Sequence, residues 1–492
     1  MTSDARKAIS HTAIYGLGEI LRNIVGFVML PIYTRYLIPA DYGVVELLTM
    51  ISDLVGILLC NRIGEAVFRF YGSAQTEAEK RSVISTAVFL SVAVNSLGYL
   101  LIFALRYQFA GIVFGDVSYV PYIIAFSLTL VTQSLIELPL IYIRAQQKPW
   151  LFLGVNLFKL VLQVSCNVYF VVYCELHVAG VVMSALVSST LMATLLGLYT
   201  FSKTGIAQFS KDLARKIISF SLPIALATLG SFYLTFGDRY FLRTFSSLHQ
   251  VGLYSLGYKF GFVLYMLAWS TFANVWDSQC YEIVKRENAV QLFGKFFLYL
   301  TVYTLLLALG VSLFAQDFLR IIADPEYWPA HRIVPIIMLA YMIIIWGNFT
   351  IFGLFYRHQT KHIAFAEAVA VCVITVAYIL LIPEFGAIGA AWATVCGFIG
   401  RFTWLNFQAQ KLYNMHLPWK EALTAAALAV VCYLLSFAAP ETIVWSVAFR
   451  ALIMLGFIGA LLYLPVLDER DRALFKTILR HPLQAKKLLR AL

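Results

Sequence analysis

Two long apolar segments stand near the start of the chain, joined by a short turn. Residues 13–36 read AIYGLGEILRNIVGFVMLPIYTRY, residues 37–43 read LIPADYG, and residues 44–67 read VVELLTMISDLVGILLCNRIGEAV. Each apolar segment is longer than the ~20 residues that a helix needs to cross the hydrocarbon core of a bilayer. The pattern therefore predicts two membrane-spanning helices.

Both segments also carry ionisable side chains, which are costly to place in lipid. The first contains Glu19 and Arg22, and the second contains Glu46, Asp53 and Arg62. A charge at the centre of a bilayer costs at least ~2.5–3.5 kcal/mol, so these side chains are expected to face protein or water. We interpret them as part of the lining of a polar cavity inside a membrane protein.

The composition of the whole chain agrees with an all-α integral membrane protein. Of the 492 residues, 61% are hydrophobic and only 13% are charged, whereas a soluble domain has roughly 25% charged residues. The apolar segments predict about 14 transmembrane helices. They lie near residues 13–36, 44–67, 82–105, 118–142, 151–173, 178–201, 217–240, 251–275, 292–315, 333–356, 363–382, 387–408, 419–438 and 442–464.

Lysine and arginine residues concentrate in alternate loops. Most of them fall in the N-terminal segment, in every second loop and in the C-terminal tail. The opposite loops hold only Arg35, Arg106, Arg243, Arg320 and Arg332. Because cytoplasmic loops carry the excess of Lys and Arg, the distribution predicts that both termini are cytoplasmic. That arrangement requires an even number of spans, which fourteen satisfies.

Three short motifs occur twice at nearly the same separation, each time in equivalent loops. The pairs are Arg144-Ala-Gln146-Gln-Lys148 with Arg357-His-Gln359-Thr-Lys361, Glu175-Leu-His-Val-Ala-Gly180 with Glu384-Phe-Gly-Ala-Ile-Gly389, and Asp41-Tyr-Gly43 with Gln250-Val-Gly252. They predict two pseudo-symmetric six-helix lobes at residues 12–204 and 213–412, related as parallel repeats. Two extra helices at 419–464 and a basic cytoplasmic or interfacial tail at 465–492 follow the second lobe.

Three features of the chain resemble a known superfamily. They are the turn Leu37-Ile-Pro39-Ala-Asp41-Tyr-Gly43 after Pro31-Ile-Tyr-Thr-Arg35-Tyr36, the two Arg-x-Gln-x-Lys loops, and the layout of 6+6+2 spans. They are similar to the O-antigen and exopolysaccharide repeat-unit flippases (Wzx type) of the multidrug/oligosaccharidyl-lipid/polysaccharide (MOP) exporter superfamily. The resemblance implies a V-shaped pair of lobes around a central lumen. It also implies a bacterial inner-membrane protein that moves undecaprenyl-diphosphate-linked oligosaccharide by alternating access. Its partners would be this substrate, membrane lipids and polysaccharide polymerase or assembly proteins, but no nucleic acid.

Five cations are candidates for the lining of the lumen: Arg22, Arg62, Lys159, Lys259 and Arg401. Lys159, Lys259 and Arg401 have no acidic residue three or four positions away, so each needs a partner from another helix or an anionic ligand. Cations suit a pyrophosphate, because arginine donates two parallel hydrogen bonds to phosphate oxygens and lysine acts as a point charge. Arg62 lies near a predicted helix end, so snorkelling to the interface is an alternative explanation for it.

Three carboxylates, Glu46, Asp53 and Glu367, are candidates for coupling transport to an H⁺ or Na⁺ gradient. Two further pairs have two interpretations, because Glu19 with Arg22 and Asp238 with Arg239 could either line the lumen or form structural ion pairs. No cofactor or metal is expected, and no set of nucleophile and base suggests catalysis. The chain is therefore not expected to be an enzyme.

Three other functions remain open at this stage. One is a multidrug or small-cation antiporter of the same superfamily, although its cationic substrates would favour an acidic cavity. Another is a flippase of the lipid II type. A third is a non-transporting scaffold in a polysaccharide assembly complex, for which charges at the depth of the bilayer centre have no evident use.

Overall fold

The computed structural model describes residues 18, 26–59, 63–205, 209–440 and 442–464. These residues form helices joined by short loops, and no β-strand occurs among them. The helices are α1 Leu30–Tyr36, α2 Pro39–Leu58, α3 Ile63–Ser73, α4 Glu77–Ala104, α5 Val117–Ala145, α6 Pro149–Tyr173, α7 His177–Thr204, α8 Lys211–Phe245, α9 Leu248–Ile283, α10 Ala289–Ile322, α11 Val334–Tyr356, α12 Lys361–Leu412, α13 Trp419–Ala438 and α14 Ile443–Tyr463. Shorter helical segments cover Arg106–Phe109, Ala110–Phe114 and Pro325–Arg332.

Ten helices of the described chain are long and apolar enough to cross a membrane, and the number rises to twelve when each of two bent pairs is one span. The bent pairs are α2 with α3, at 44°, and the two halves of α8, at 49°. The all-α membrane fold is therefore confirmed. The count of fourteen is compatible with the structure, because half of the first predicted span lies outside the described residues and α12 contains two helices.

Helix α12 is 52 residues long, which at 1.5 Å per residue is more than two crossings of the ~30 Å hydrocarbon core. Its backbone breaks at Gly386, where φ is 54° and ψ is −128°. A side chain is strained at such a positive φ, so glycine is suited to this position. The backbone N–H of Ala387 beyond the break donates to Oε1 of Gln250, at 3.2 Å. The break separates the predicted spans 363–382 and 387–408.

Local signals in the sequence explain where several spans begin. Pro39 and Pro149 are the first residues of α2 and α6, where the missing N–H of proline has no helical partner to lose. At the start of α4, Thr76 and Glu79 form a capping box: the N–H of Glu79 donates to the Thr76 hydroxyl at 3.2 Å, and the N–H of Thr76 donates to the Glu79 carboxylate at 3.3 Å.

The described chain divides into two compact units, and the first takes its residues from Met1–Ser255, Ile322–Tyr327 and Tyr378–Ala387. Helices α3, α4, α5 and α8 contribute to one apolar core in this unit, around the fully buried Ala66, Val67 and Ala87. A second core joins α5, α6 and α7 around Ile136 and Ile143. Such small and branched side chains allow the close helix packing that is typical of membrane proteins.

The second unit comprises Leu256–Ile321, Trp328–Ala377 and Ile388–Leu492. Aromatic side chains fill part of its interior, and Trp419 at the start of α13 packs its ring 4.8 Å from that of Phe297 and 5.5 Å from that of Trp346. The indole N–H of Trp346 donates to the Thr301 hydroxyl at 2.9 Å. The extra helix α13 is thus anchored on this unit by aromatic packing, which is favourable beyond the area that it buries.

Within the first unit, α2 and α9 meet backbone to backbone at two glycines. A Cβ atom added to Gly43 would collide with the carbonyl oxygen of Leu248, and one added to Gly252 would collide with the carbonyl oxygen of Pro39. The sequence repeat aligns Gly43 with Gly252 and Pro39 with Leu248, so the two contacts are each other's counterparts. Reciprocal contacts of this kind are what a twofold relation generates. The boundaries of the two lobes stay a prediction.

We expect Gly43→Ala and Gly252→Ala each to lower the midpoint of thermal unfolding in detergent, because the added methyl meets backbone that cannot rotate away. Overpacking of this kind costs about 1–3 kcal/mol. Gly197→Ala in α7 is the control, since nothing lies within 4 Å of its added Cβ. Midpoints of the two variants that match that of Gly197→Ala would contradict the close contact.

Candidate transport site

A buried group of polar side chains links three helices of the first unit. Asp238 and Arg239 lie on α8, Tyr254 on α9 and Glu46 on α2, and the side chain of Asp238 is fully buried. Its carboxylate accepts hydrogen bonds from the Tyr254 hydroxyl at 2.6 Å and from a guanidinium nitrogen of Arg239 at 2.7 Å. Nε of Arg239 lies 4.0 Å from the carboxylate of Glu46. The structure therefore brings together the predicted pair and one of the predicted coupling carboxylates.

The second unit contains a comparable group. Arg401 is 8% exposed, and its Nε lies 2.7 Å from a carboxylate oxygen of Glu367. A second guanidinium nitrogen of Arg401 donates to the Asn348 side-chain oxygen at 3.3 Å, and the amide of Asn348 donates to the Tyr265 hydroxyl at 3.1 Å. Arg401 and Glu367 lie in the two halves of α12, so the Gly386 break brings a predicted substrate cation and a predicted coupling carboxylate into one ion pair.

An acidic region occupies another part of the first unit. Asp53 lies on α2, which forms half of a bent span, and Glu137 lies on the span α5; both side chains are exposed. Asp53 feels the negative charges of both Glu137 and Glu46. Exposed carboxylates at the depth of a membrane are expected to face water rather than lipid. This region is the part of the described chain best suited to hold a cation.

The two predicted lysines lie on different units, Lys159 on α6 and Lys259 on α9. Both are half-buried, and each has an interaction partner within the fold. Their role as cations for the substrate stays a prediction. Glu19, Arg22 and Arg62 fall outside the described residues, and so does the predicted tail at 465–492.

Sequence reasoning missed a third ion pair, between Asp317 on α10 and Arg450 on α14. The two side chains approach to 2.5 Å, and the Ser446 hydroxyl donates to the Asp317 carboxylate at 3.1 Å. Asp317 was expected in a loop after a span ending at residue 315, but α10 continues to Ile322. Arg450 lies inside the predicted span 442–464, so the rule that selected the other intramembrane charges would also have selected it.

No group of three or more His, Cys, Asp and Glu side chains that could hold a metal ion is found in the part of the chain that the structure describes. The groups around Arg239 and Arg401 instead combine one guanidinium with carboxylate, hydroxyl or amide partners. Such an arrangement can exchange partners with an anion, because guanidinium binds phosphate oxygens as it binds carboxylate oxygens.

We expect Asp238→Asn to lower the midpoint of thermal unfolding strongly, because it removes the closest counter-charge of the buried Arg239. Breaking a buried pair costs about 3–5 kcal/mol, while Tyr254→Phe removes one hydrogen bond to a charged group, at about 1.5–3 kcal/mol. Asp212→Asn, at an exposed position near the start of α8, is the matched control. Equal unfolding temperatures of Asp238→Asn and Asp212→Asn would contradict a stabilising role of the buried pair.

Solved structures of membrane transporters share this fold. A structure titled "Lipid II flippase MurJ, inward closed conformation" has a TM-score of 0.71 and 13% sequence identity, over 92% of this chain and 99% of that one. An inward-facing multidrug resistance MATE family transporter of the MOP superfamily has a TM-score of 0.63 and 13% identity, over 79% of this chain and 95% of that one. A mutant of the Vibrio cholerae MATE transporter VcmN has a TM-score of 0.54 and 14% identity, over 84% and 98%.

The sequence of the chain matches the model of a protein family. The family described as "Polysaccharide biosynthesis protein" matches residues 9–276, which is more than half of the chain. A search of curated proteins finds no match. This family match bears out the superfamily predicted from the sequence, and the MurJ and MATE structures show the same fold at low sequence identity. The chain belongs to the polysaccharide biosynthesis protein family, within the MOP superfamily of flippases and transporters.

Proposed function

We propose that this protein flips undecaprenyl-diphosphate-linked oligosaccharide repeat units from the cytoplasmic to the outer leaflet of a bacterial inner membrane. The observation that carries the proposal is the occurrence, in a member of a polysaccharide biosynthesis family, of buried arginines within membrane-spanning helices. A scaffold has no use for charges that cost several kcal/mol at this depth. A transporter of an anionic head group needs them.

The substrate poses an electrostatic problem that arginine can solve. Its diphosphate must cross ~30 Å of hydrocarbon together with its sugars. In the resting protein, Glu367 neutralises Arg401 at 2.7 Å. A diphosphate entering the cavity would compete with Glu367 for the guanidinium and offer more acceptor oxygens. Lys159 and Lys259 would then supply further positive charge along the path.

Alternating access requires that one end of the cavity closes while the other opens. The contact of Gly43 with Leu248 and of Gly252 with Pro39 holds the ends of α2 and α9 together. By the distribution of Lys and Arg, these ends are the outer ones. Release of the oligosaccharide outward would require this contact to separate. Loading would occur at the cytoplasmic face, where polysaccharide assembly proteins could deliver the substrate.

We expect Arg401→Gln to slow the movement of lipid-linked oligosaccharide to the outer leaflet by tenfold or more, since a hydrogen bond to a charged group contributes about 1.5–3 kcal/mol. The measurement is the accessibility of the oligosaccharide to an impermeant glycosidase in vesicles of known orientation, after depletion of the native protein. Arg286→Gln, at an exposed position, is the control. Unchanged leaflet distribution on depletion would overturn the proposal.

We propose that an ion gradient is the energy source and that the carboxylates Glu46, Asp53 and Glu367 bind the ion. Each lies in a helix that is long enough to span a membrane or forms half of a bent span. Two of them are in contact with an arginine, Glu46 with Arg239 and Glu367 with Arg401. Binding of a proton to either would release its arginine for another partner, which would link the ion to the substrate.

We expect at least one of Glu46→Gln, Asp53→Asn and Glu367→Gln to make flipping independent of the H⁺ or Na⁺ gradient, because the neutral side chain cannot bind the ion. Flipping would be compared with and without an ionophore in vesicles that carry each variant. Glu282→Gln, at an exposed position, is the matched control. Retention of full gradient dependence in all three variants would rule out coupling through these carboxylates.

A second candidate function has one observation in its favour. The acidic region of Asp53, Glu137 and Glu46 would attract a cation, as the substrates of a multidrug or small-cation antiporter require. Efflux of a cationic dye that stops in Asp53→Asn, with normal leaflet distribution of the oligosaccharide, would favour this function over the flippase.

A further inference from the structure

A separate cavity of about 660 Å³ lies within the second unit. Its walls come from the end of α10, the segment Pro325–Arg332, the start of α11, the end of α13 and the start of α14. The polar part of the lining includes Gln316, Arg320, His331, Arg332 and Arg450. A cavity of this volume is in the range that holds a small ligand or a head group.

The lining of this cavity is cationic. Among the described residues that line it are three arginines and a histidine but no carboxylate. Asp317 does not line the cavity; it is buried and is paired with Arg450 and Ser446. Burial lowers the pKa of His331 below its usual range, and the charges of the three arginines lower it further.

The arginines differ in how firmly they are held, as in a built anion site. Arg450 is 6% exposed, with one guanidinium nitrogen on Asp317 and another 2.6 Å from the side-chain oxygen of Gln316. Its buried Nε has no hydrogen-bond acceptor among the residues that the structure describes. Arg332 is exposed at the rim, and Arg320 is half-buried beside the ring of Trp328. One arginine is thus buried and held by two side chains, one is half-buried, and one is exposed.

The rest of the lining mixes serine and tyrosine with apolar side chains, and it continues to the surface of the last two helices. Phe437 lines the cavity and is exposed, and Val444 and Trp445 at the start of α14 are exposed as well. Exposed aromatic side chains at helix ends are typical of the membrane interface. A ligand with a polar anionic group and a long apolar part matches this mixture better than a free ion does.

We propose that this cavity binds the phosphate group of an anionic membrane phospholipid, with its acyl chains lying along α13 and α14. The phosphate would sit among the arginines, where charge-assisted hydrogen bonds to oxygen anions are strongest. By the distribution of Lys and Arg the cavity lies at the outer end of the spans, so the lipid belongs to the outer leaflet. The site is distinct from the groups around Arg239 and Arg401, and it does not depend on the proposed flipping activity.

The test is lipid binding by the full chain in detergent, measured as bound lipid by native mass spectrometry and as the shift in thermal unfolding. The probes are phosphatidylglycerol, phosphatidylcholine and inorganic phosphate. We expect phosphatidylglycerol alone to bind and stabilise. Arg332→Glu, at an exposed position, should weaken its binding about tenfold or more, because the change replaces an attractive charge with a repulsive one.

The double variant Arg320→Gln with Arg332→Gln should weaken phosphatidylglycerol binding in the same way without reversing a charge. Arg286→Gln, exposed before the start of α10, is the control and should bind as the native chain does. Equal retention of phosphatidylglycerol by the native chain and Arg332→Glu would overturn the site. Equal binding of inorganic phosphate, or of phosphatidylcholine, would overturn the assignment to an anionic lipid.

Discussion

The structure depends on one constraint, which is that a charge placed at membrane depth must find a partner. Three ion pairs meet it: Asp238 with Arg239, Glu367 with Arg401, and Asp317 with Arg450. The first pair is also tied to neighbouring helices through Tyr254 and Glu46, and the second joins two helices across the break in α12. In a membrane such polar contacts act beside van der Waals packing in joining helices, because lipid tails are as apolar as leucine and supply no hydrophobic force between them.

Such pairs are weak evidence for stability, since a buried pair often contributes no more than apolar side chains of the same size would. Their value lies in exchange. A guanidinium that is paired with a carboxylate can exchange this partner for a phosphate. The carboxylate can then bind a proton or a metal ion, so neither charge stays unpaired for long. In the proposed function, charges that are both paired and exchangeable would let one set of side chains hold helices together and bind the substrate.

The spans could be predicted from the sequence because a helix in lipid must satisfy its own backbone hydrogen bonds, which makes each span a long apolar run. Prolines such as Pro39 and Pro149 marked where helices begin for an equally local reason. The partners of the charges could not be predicted, since Arg401 meets Glu367 only after the chain turns at Gly386. The predicted span that ends at residue 315 left Asp317 in a loop, because α10 extends beyond the apolar run from which the span was predicted. Hydropathy alone does not show how far a helix continues past its apolar residues.

The glycines of α2 and α9 show how a weak sequence signal can be a strong structural one. The match between Asp41-Tyr-Gly43 and Gln250-Val-Gly252 rests on few residues, yet in the fold each glycine lies against the backbone of the other helix. Only a residue without Cβ allows backbones to approach this closely. A repeat that retains little but a glycine has therefore retained the one feature that the crossing requires. The positions around it are free to differ, since the close backbone contact does not depend on their side chains.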